Sequence, residues 1–259
     1  MSLFELEHVN YRYGTFPVLC DISFTIAEGE IFGIIGPNGS GKSTLIRSMS
    51  GLHSLSSGKI LLRDKPLSSY SHKELARQIA VLEQEGTPPL PYTVEQIVSM
   101  GRYPWLKPFS ELGAHDREIV ESVLRNLNLW NIRSKKVSAL SGGQRQLVSL
   151  ARAMAQEPRI LILDEPTTYL DIGHQILVME HVRKWHQEQG LTLIMVLHDL
   201  NIAGQYCDRL LLLDQGKIIN WGNAAEVLNE DILAKIYKAD LIRIEHPTLG
   251  VPQFLLSGR

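Results

Sequence analysis

Short apolar runs bounded by Gly, Pro or charge recur along the chain, the clearest being Ile31–Ile35, Ile160–Leu163 and Leu191–Leu197. Continuous runs of this length predict strands buried on both faces, as in a parallel sheet covered by helices. Each adjoins a stretch of helical periodicity, so the pattern predicts βαβ units. The two ends of the chain differ. Residues 1–30 alternate, with Leu3, Glu5 and Glu7 set against Phe4, Leu6 and His8, which predicts antiparallel strands. Leu210–Leu213 and Ile218–Trp221 flank Gln215-Gly216, a hairpin signal.

Between these ends lies one Pro-dense stretch, Gly86-Thr87-Pro88-Pro89-Leu90-Pro91-Tyr92, expected as a hinge. Beyond it, Thr93-Val94-Glu95-Gln96 has capping-box spacing and opens a helix. A second helix is expected over Ala114–Leu129. The expected fold is therefore α/β: a core with a mostly parallel sheet, an N-terminal antiparallel β subdomain and an inserted α-helical subdomain. The expected divisions are 1–85 for the β subdomain and first part of the core and 86–150 for the helical subdomain. Residues 151–222 would complete the core, and 223–259 form C-terminal helices and a tail of the same domain. No internal repeat or low-complexity segment interrupts this plan.

Composition narrows the function classes. With 259 residues, 44% apolar and 21% charged, the chain can bury a large core, which excludes disorder and a disulfide-stapled miniprotein. A formal charge of −2, from 26 basic and 28 acidic residues without like-charge blocks, gives no basis for wrapping nucleic acid or lying on anionic lipid. Two cysteines, Cys20 and Cys207, are expected as buried thiols in a reducing compartment. The N-terminus has neither a basic n-region nor an apolar h-region, so no signal peptide is expected. No apolar run approaches the roughly 18–20 residues that span a bilayer, so work at a membrane would need a partner with spanning helices. His181 and His186, five apart, do not share a helix face as metal ligands would, and are expected at the surface.

The chemistry starts at Gly36-Pro37-Asn38-Gly39-Ser40-Gly41-Lys42-Ser43, which fits G-x-x-x-x-G-K-[ST] directly after a buried strand and before a helical run. The glycines let successive N–H groups turn inward as an anion nest, and the following helix, with Thr44 in its first turn, adds its N-terminal partial charge. Lys42 is expected to reach the β- and γ-phosphates and Ser43 to ligate Mg²⁺. Asp164 and Glu165 end the run Ile160–Leu163, at the strand edge where open α/β sheets bind ligands. Asp164 is expected to hold Mg²⁺ and Glu165 to polarise an attacking water.

Leu140-Ser141-Gly142-Gly143-Gln144 supplies a third element. Ser141 and Gln144 have capping-box spacing, yet two glycines in a first turn cost about 1 kcal/mol each. The expectation is that a ligand approaches this backbone closely, making a second anion site from bare N–H groups, a hydroxyl and a helix dipole. Two phosphate-binding helix starts with one carboxylate pair suggest a head-to-tail dimer. In it, the Ser141 turn of one subunit closes on the nucleotide of the other.

These motifs together resemble the ATP-binding cassette (ABC) ATPases, a P-loop NTPase family, over residues 13 to 222. Gly36–Thr44 resembles the Walker A motif, Leu140–Gln144 the family signature and Ile160–Glu165 the Walker B strand. The resemblance implies that Gln84 is the Q-loop glutamine, touching Mg²⁺ and joining core to helical lobe. It implies that Asp171, in Leu170-Asp171, belongs to the D-loop and contacts the opposite subunit. By the same resemblance His198 is the switch histidine that senses the γ-phosphate, and Tyr13 stacks on adenine. Glu83 departs from the family, where proline usually precedes the glutamine. This bears on how stiffly Gln84 is held and removes no catalytic atom.

The separation of Ser43 and Ser141, 98 residues, leaves no room for a long coiled-coil insertion, and a single cassette without a fused membrane domain resembles the importer ATPases. Met100-Gly101-Arg102-Tyr103-Pro104-Trp105, Thr167–Gln175 and the tail His246-Pro247 with Gly250 and Pro252 resemble cassettes of importers for ferric siderophores, haem and cobalamin. The resemblance implies ATP and Mg²⁺ as cofactors and an ATPase that couples hydrolysis to transport. It implies a homodimer on the cytoplasmic face of the inner membrane, permease subunits docking at the Q-loop and helical subdomain, and indirectly a substrate-binding protein. Two alternatives stay open, a molybdate or tungstate importer and a soluble cassette of iron–sulfur cluster assembly. Gly101–Trp105 likewise keeps two readings, a surface that receives a permease helix and a loop whose aromatics cap the lobe.

Overall fold

β1 (Ser2–Tyr13) and β2 (Phe16–Ala27) pair antiparallel from Ser2 opposite Ala27 to Tyr13 opposite Phe16, as the alternation of residues 1–30 predicts. In chain order there follow β3 (Ile31–Ile35), α1 (Lys42–Met49), β4 (Ser57–Leu62), β5 (Lys65–Pro66), α2 (His72–Gln78), β6 (Ile79–Leu82), α3 (Val94–Ser99), α4 (Ala114–Asn126), α5 (Gly142–Ala155), β7 (Ile160–Asp164) and α6 (Ile172–Gln189). The chain then continues through β8 (Thr192–Val196), α7 (Leu200–Tyr206), β9 (Arg209–Asp214), β10 (Lys217–Gly222), α8 (Ala224–Val227), α9 (Glu230–Tyr237), β11 (Leu241–Glu245) and β12 (Pro252–Leu256). This computed structural model describes residues 2–84, 86–168 and 170–257, in two units: Met1–Tyr70 with Thr192–Arg259, and Ser71–Leu191.

The first unit holds two sheets. One is antiparallel, in the order β2-β1-β4-β5. In the other, β3 pairs parallel with β8 on one side and with β9 on the other, and β10 returns antiparallel on β9. All five residues of β3 and of β8 are buried, as expected of unalternated apolar runs. Phe24 stacks on Phe32 with centroids 5.3 Å apart, tying the antiparallel layer to β3. The Gln215-Gly216 hairpin forms as predicted, with both residues at positive φ.

In the second unit β6 and β7 pair parallel, and α3 packs on α4 and α5. Both predicted capping boxes are present, Thr93 with Gln96 and Ser141 with Gln144. The helix expected over Ala114–Leu129 stops at Asn126, since Leu127 caps it and Asn128 turns left-handed at φ +56°. Three burial expectations are corrected. Cys20 is half-buried, because it lies on the β2 edge where its N–H bonds to Gly216 O at 2.8 Å; only Cys207 is buried. His181 and His186 are half-buried rather than surface residues. No residue of α6 before Val178 is buried, whereas from there on it buries Val178, Met179, Val182 and Trp185 and carries both histidines part-way inward. His186 Nδ1 meets Leu191 O at 2.7 Å.

Candidate functional site

The phosphate loop is built by β3 stopping at Ile35 and α1 starting at Lys42. Gly36 takes φ +147° and presses on the carbonyl of Leu213, where a side chain would collide. Gly41 takes φ +107° and opens α1 without a side-chain cap, and the first turn carries no acidic residue. The first N–H groups of α1 therefore face the loop without a capping side chain, the electrostatics an anion needs. Lys42 is 5% exposed, and its ammonium donates to Gly36 O and Pro37 O, both at 2.9 Å. Ser40 Oγ is buried without a hydrogen-bond partner. A buried orphan hydroxyl beside an uncapped helix start fits a phosphate ligand.

A cleft of about 800 Å³ opens on this loop, lined by Pro37, Asn38, Gly39, Ser40 and His198, with Tyr237 of α9 on its far wall. His198 follows β8 and is exposed in the cleft. Next to it, Asp199 caps α7 by accepting from Asn201 N at 2.8 Å and Ile202 N at 3.1 Å. Burial pushes the Tyr237 hydroxyl up to about 12. Ser43 and Thr44 occupy the first turn of α1.

Tyr13 is half-exposed and stands edge-on to Tyr11 and to His53, with its hydroxyl 3.2 Å from His53 Nε2. His53 stacks on Tyr11 at 4.7 Å. Burial, and then the charge of Arg47, pull the His53 pKa down. Sequence reasoning missed His53 as a member of this aromatic platform. Its neighbours in sequence carry no motif, and its approach depends on a distant loop returning to β1.

In the second unit Asp164 and Glu165 end β7 and are 5% and 8% exposed. Glu165 has φ +51°, a left-handed conformation costing a non-glycine residue about 1 kcal/mol. Strain of this kind is tolerated where the backbone must aim a side chain. Gln84 Nε2 donates to Glu165 Oε2, and Thr168 Oγ1 donates to the same oxygen at 3.1 Å. Among the described residues no cluster of three His, Cys, Asp or Glu could hold a metal by itself. Within this unit Asp164 and Gln84 carry hard oxygen donors, the kind that suits Mg²⁺. Glu83 O accepts from Gly86 N at 3.0 Å, so a turn hydrogen bond braces this segment where proline is missing.

Ser141 caps α5, accepting from Gln144 N at 3.2 Å, while Gln144 Oε1 accepts from Ser141 N at 3.2 Å. Gly142 faces open space, but Gly143 lies against the His174 ring. The missing side chain of Gly143 makes room for this chain's own imidazole. Asp171 caps α6 by accepting from His174 N at 2.9 Å. That amide and the imidazole hold its carboxyl below the usual range. Tyr169, among the residues quoted for the subgroup resemblance, lies outside the described residues.

Arg102 and Trp105 of the Gly101–Trp105 segment are anchors. Arg102 is buried, bonding Asp116 at 2.9 Å, Ala155 O at 2.8 Å and Glu157 at 2.8 Å. Trp105 Nε1 donates to Gln156 O at 2.8 Å. Tyr103 instead is exposed and lines a groove of about 620 Å³ with Tyr92, Met100, Leu112, Val120 and Trp130.

Residues 19–168 match the ABC transporter family. The chain belongs to that family. As one of its cassettes it is an ATP-binding ATPase, and among the described residues no helix is long and apolar enough to cross a membrane. It is 38% identical over 253 residues to the ferric enterobactin transport ATP-binding protein of Escherichia coli (strain K12), covering 98% of this chain and 93% of that protein. A structure described as a metal-chelate type ABC transporter in an inward-facing conformation superposes with a TM-score of 0.85, at 27% identity, covering 99% of this chain and 98% of that one. A dimeric post-hydrolysis ATP-binding cassette bound to ADP and Pi superposes with a TM-score of 0.73, at 28% identity, covering 85% and 98%.

Proposed function

We propose that this chain is the ATPase subunit of a ferric-chelate importer, with an iron–siderophore as cargo. The observation that carries the cargo class is its 38% identity to the ferric enterobactin protein across nearly its whole length. In this reading the chain works as a homodimer at the cytoplasmic face of the membrane, bound to permease subunits that receive cargo from a binding protein. The groove bordered by Tyr103 takes a helix of the permease, since it combines exposed aromatic rings with apolar walls on a rigidly anchored segment.

The residues divide the work as follows. Tyr13 stacks on adenine, with His53 and Tyr11 fixing its angle. The N–H groups of Gly36–Thr44 wrap the phosphates, and Lys42 leaves its carbonyl partners to neutralise them. Ser43, Gln84 and Asp164 each offer an oxygen to Mg²⁺, which when bound would neutralise the β- and γ-phosphates. Glu165, aimed by Gln84 and Thr168, accepts the proton of the attacking water. His198 contacts the γ-phosphate, and Asp171 lies against the opposite cassette. The partner subunit's Ser141 turn, from Ser141 to Gln144, closes on the same phosphate. ATP thus binds the closed dimer better than the open one, which is how a ligand shifts a conformational equilibrium. Hydrolysis removes that preference and reopens it.

Cellular uptake tests the reading. A strain whose only copy carries Lys42→Ala is compared with its parent for labelled ferric siderophore, haem, cobalamin and molybdate. Loss of ferric-siderophore uptake alone is expected. Loss of molybdate uptake alone, or of none with ATPase activity intact in the purified protein, would contradict it.

A further inference from the structure

The two glycines that open α5 have different surroundings. A Cβ built on Gly142 meets nothing within 4 Å. On Gly143 it would strike the His174 imidazole, with Nε2 at 2.9 Å and Cγ at 3.0 Å. Neither glycine is among the residues at positive φ, so alanine is conformationally allowed at both. Alanine would also favour the helix by about 1 kcal/mol at each position. The requirement for glycine at 143 is therefore steric, and its cause is another residue of the same chain.

His174 is held from its other side. Asp171 caps α6 through His174 N, and both of its carboxylate oxygens lie 2.9 Å from His174 Nδ1. The ring spans the gap between two segments far apart in sequence. One edge lies on the Asp171 carboxylate, and the opposite edge lies on the Gly143 backbone. An aromatic ring has few rotamers, so this bridge transmits displacement where a flexible side chain would absorb it.

We propose that His174 is a positioning residue that couples the Ser141–Gly143 turn to Asp171, so that the two segments facing the opposite cassette move as one piece. The inference rests on the head-to-tail dimer of the proposed function and goes beyond it. It names the strut that keeps both segments in register and explains why Gly143 cannot carry a side chain.

A double-mutant cycle in the Glu165→Gln background tests this, read as the MgATP concentration that gives half-maximal dimer by sedimentation. Gly143→Ala should raise that concentration more than tenfold, and His174→Ala about threefold. The double variant should return to the level of His174→Ala, a coupling of about tenfold or about 1.4 kcal/mol. ATP binding to the monomer should not move in any variant, and the thermal stability of the His174→Ala monomer should not move, which separates positioning from a general structural role. Two outcomes would overturn the proposal: Gly143→Ala dimerising like the parent, or the double variant no better than Gly143→Ala alone. A parent that binds ATP but never dimerises would overturn the head-to-tail reading and this proposal with it.

Discussion

Gln84 donates to the Glu165 carboxylate oxygen that also accepts from Thr168, so the acid at the end of β7 is gripped by two side chains while its own backbone sits at φ +51°. A general base must be aimed before its proton affinity matters. Glu165→Gln should keep ATP binding and slow turnover by about 10²–10⁴-fold, the range general-base removal gives. Steady-state phosphate release with a parallel nucleotide titration checks this; unchanged hydrolysis would remove Glu165 from the role. Gln84→Glu should raise the pH needed for half-maximal activity, because two carboxylates in hydrogen-bond contact cannot both ionise cheaply.

Lys42 is buried and its ammonium rests on two carbonyls of its own loop. A charge-assisted hydrogen bond contributes about 1.5–3 kcal/mol, so Lys42→Ala should weaken nucleotide binding by about 10- to 100-fold. Titration with a labelled nucleotide reads this directly. Folding should survive, because one of the two freed carbonyls belongs to Pro37, which borders an open cleft.

Arg102 has almost no contact with solvent and bonds two carboxylates at once. Removing the cation from such a site costs about 3–5 kcal/mol, so Arg102→Met should lower the unfolding free energy by about that much in denaturant titration. Burial pushes the Asp116 pKa up, but the Arg102 hydrogen bond, the Gly113 amide and nearby positive charge outweigh it and leave it lowered. A depressed carboxylate stabilises the fold above its unfolded pKa of about 3.9 and loses that contribution as pH falls through the folded value. Asp116→Asn should therefore be less stable than the parent at neutral pH and show a flatter stability profile below about pH 4.

Cys207 is buried behind Gly33, and desolvation, then the charges of Asp208 and Glu30, push its thiol far above the ordinary range. The thiolate is the reactive form. Alkylation of the native protein at neutral pH should modify Cys20 first and leave Cys207 untouched until unfolding. Peptide mass spectrometry after timed quenching decides this; equal labelling would contradict the packing.

The parts legible in the sequence are those with local causes. β3, β7 and β8 announce themselves as unbroken apolar runs, and the Thr93 and Ser141 caps are fixed by spacing of three residues. The phosphate loop is legible because its glycines serve a backbone geometry that no other residue supplies. Long-range encounters were not legible. His53 reaches Tyr13, Gln84 reaches Glu165 and His174 reaches Gly143 only after distant segments fold together. Gly143 is the instructive case: nothing in its neighbours along the chain shows that an imidazole packs where its side chain would be. Arg102 shows the same limit, since nothing local marks it as a buried cation rather than a surface contact.

The central claim is that two copies of this chain share each nucleotide. Sedimentation of the Glu165→Gln protein with and without MgATP tests it most directly. The expected result is a 29.1 kDa species without nucleotide and a species of about twice that mass with MgATP, abolished when Ser141→Arg blocks the second anion site. A protein that binds MgATP yet stays at 29.1 kDa would contradict it.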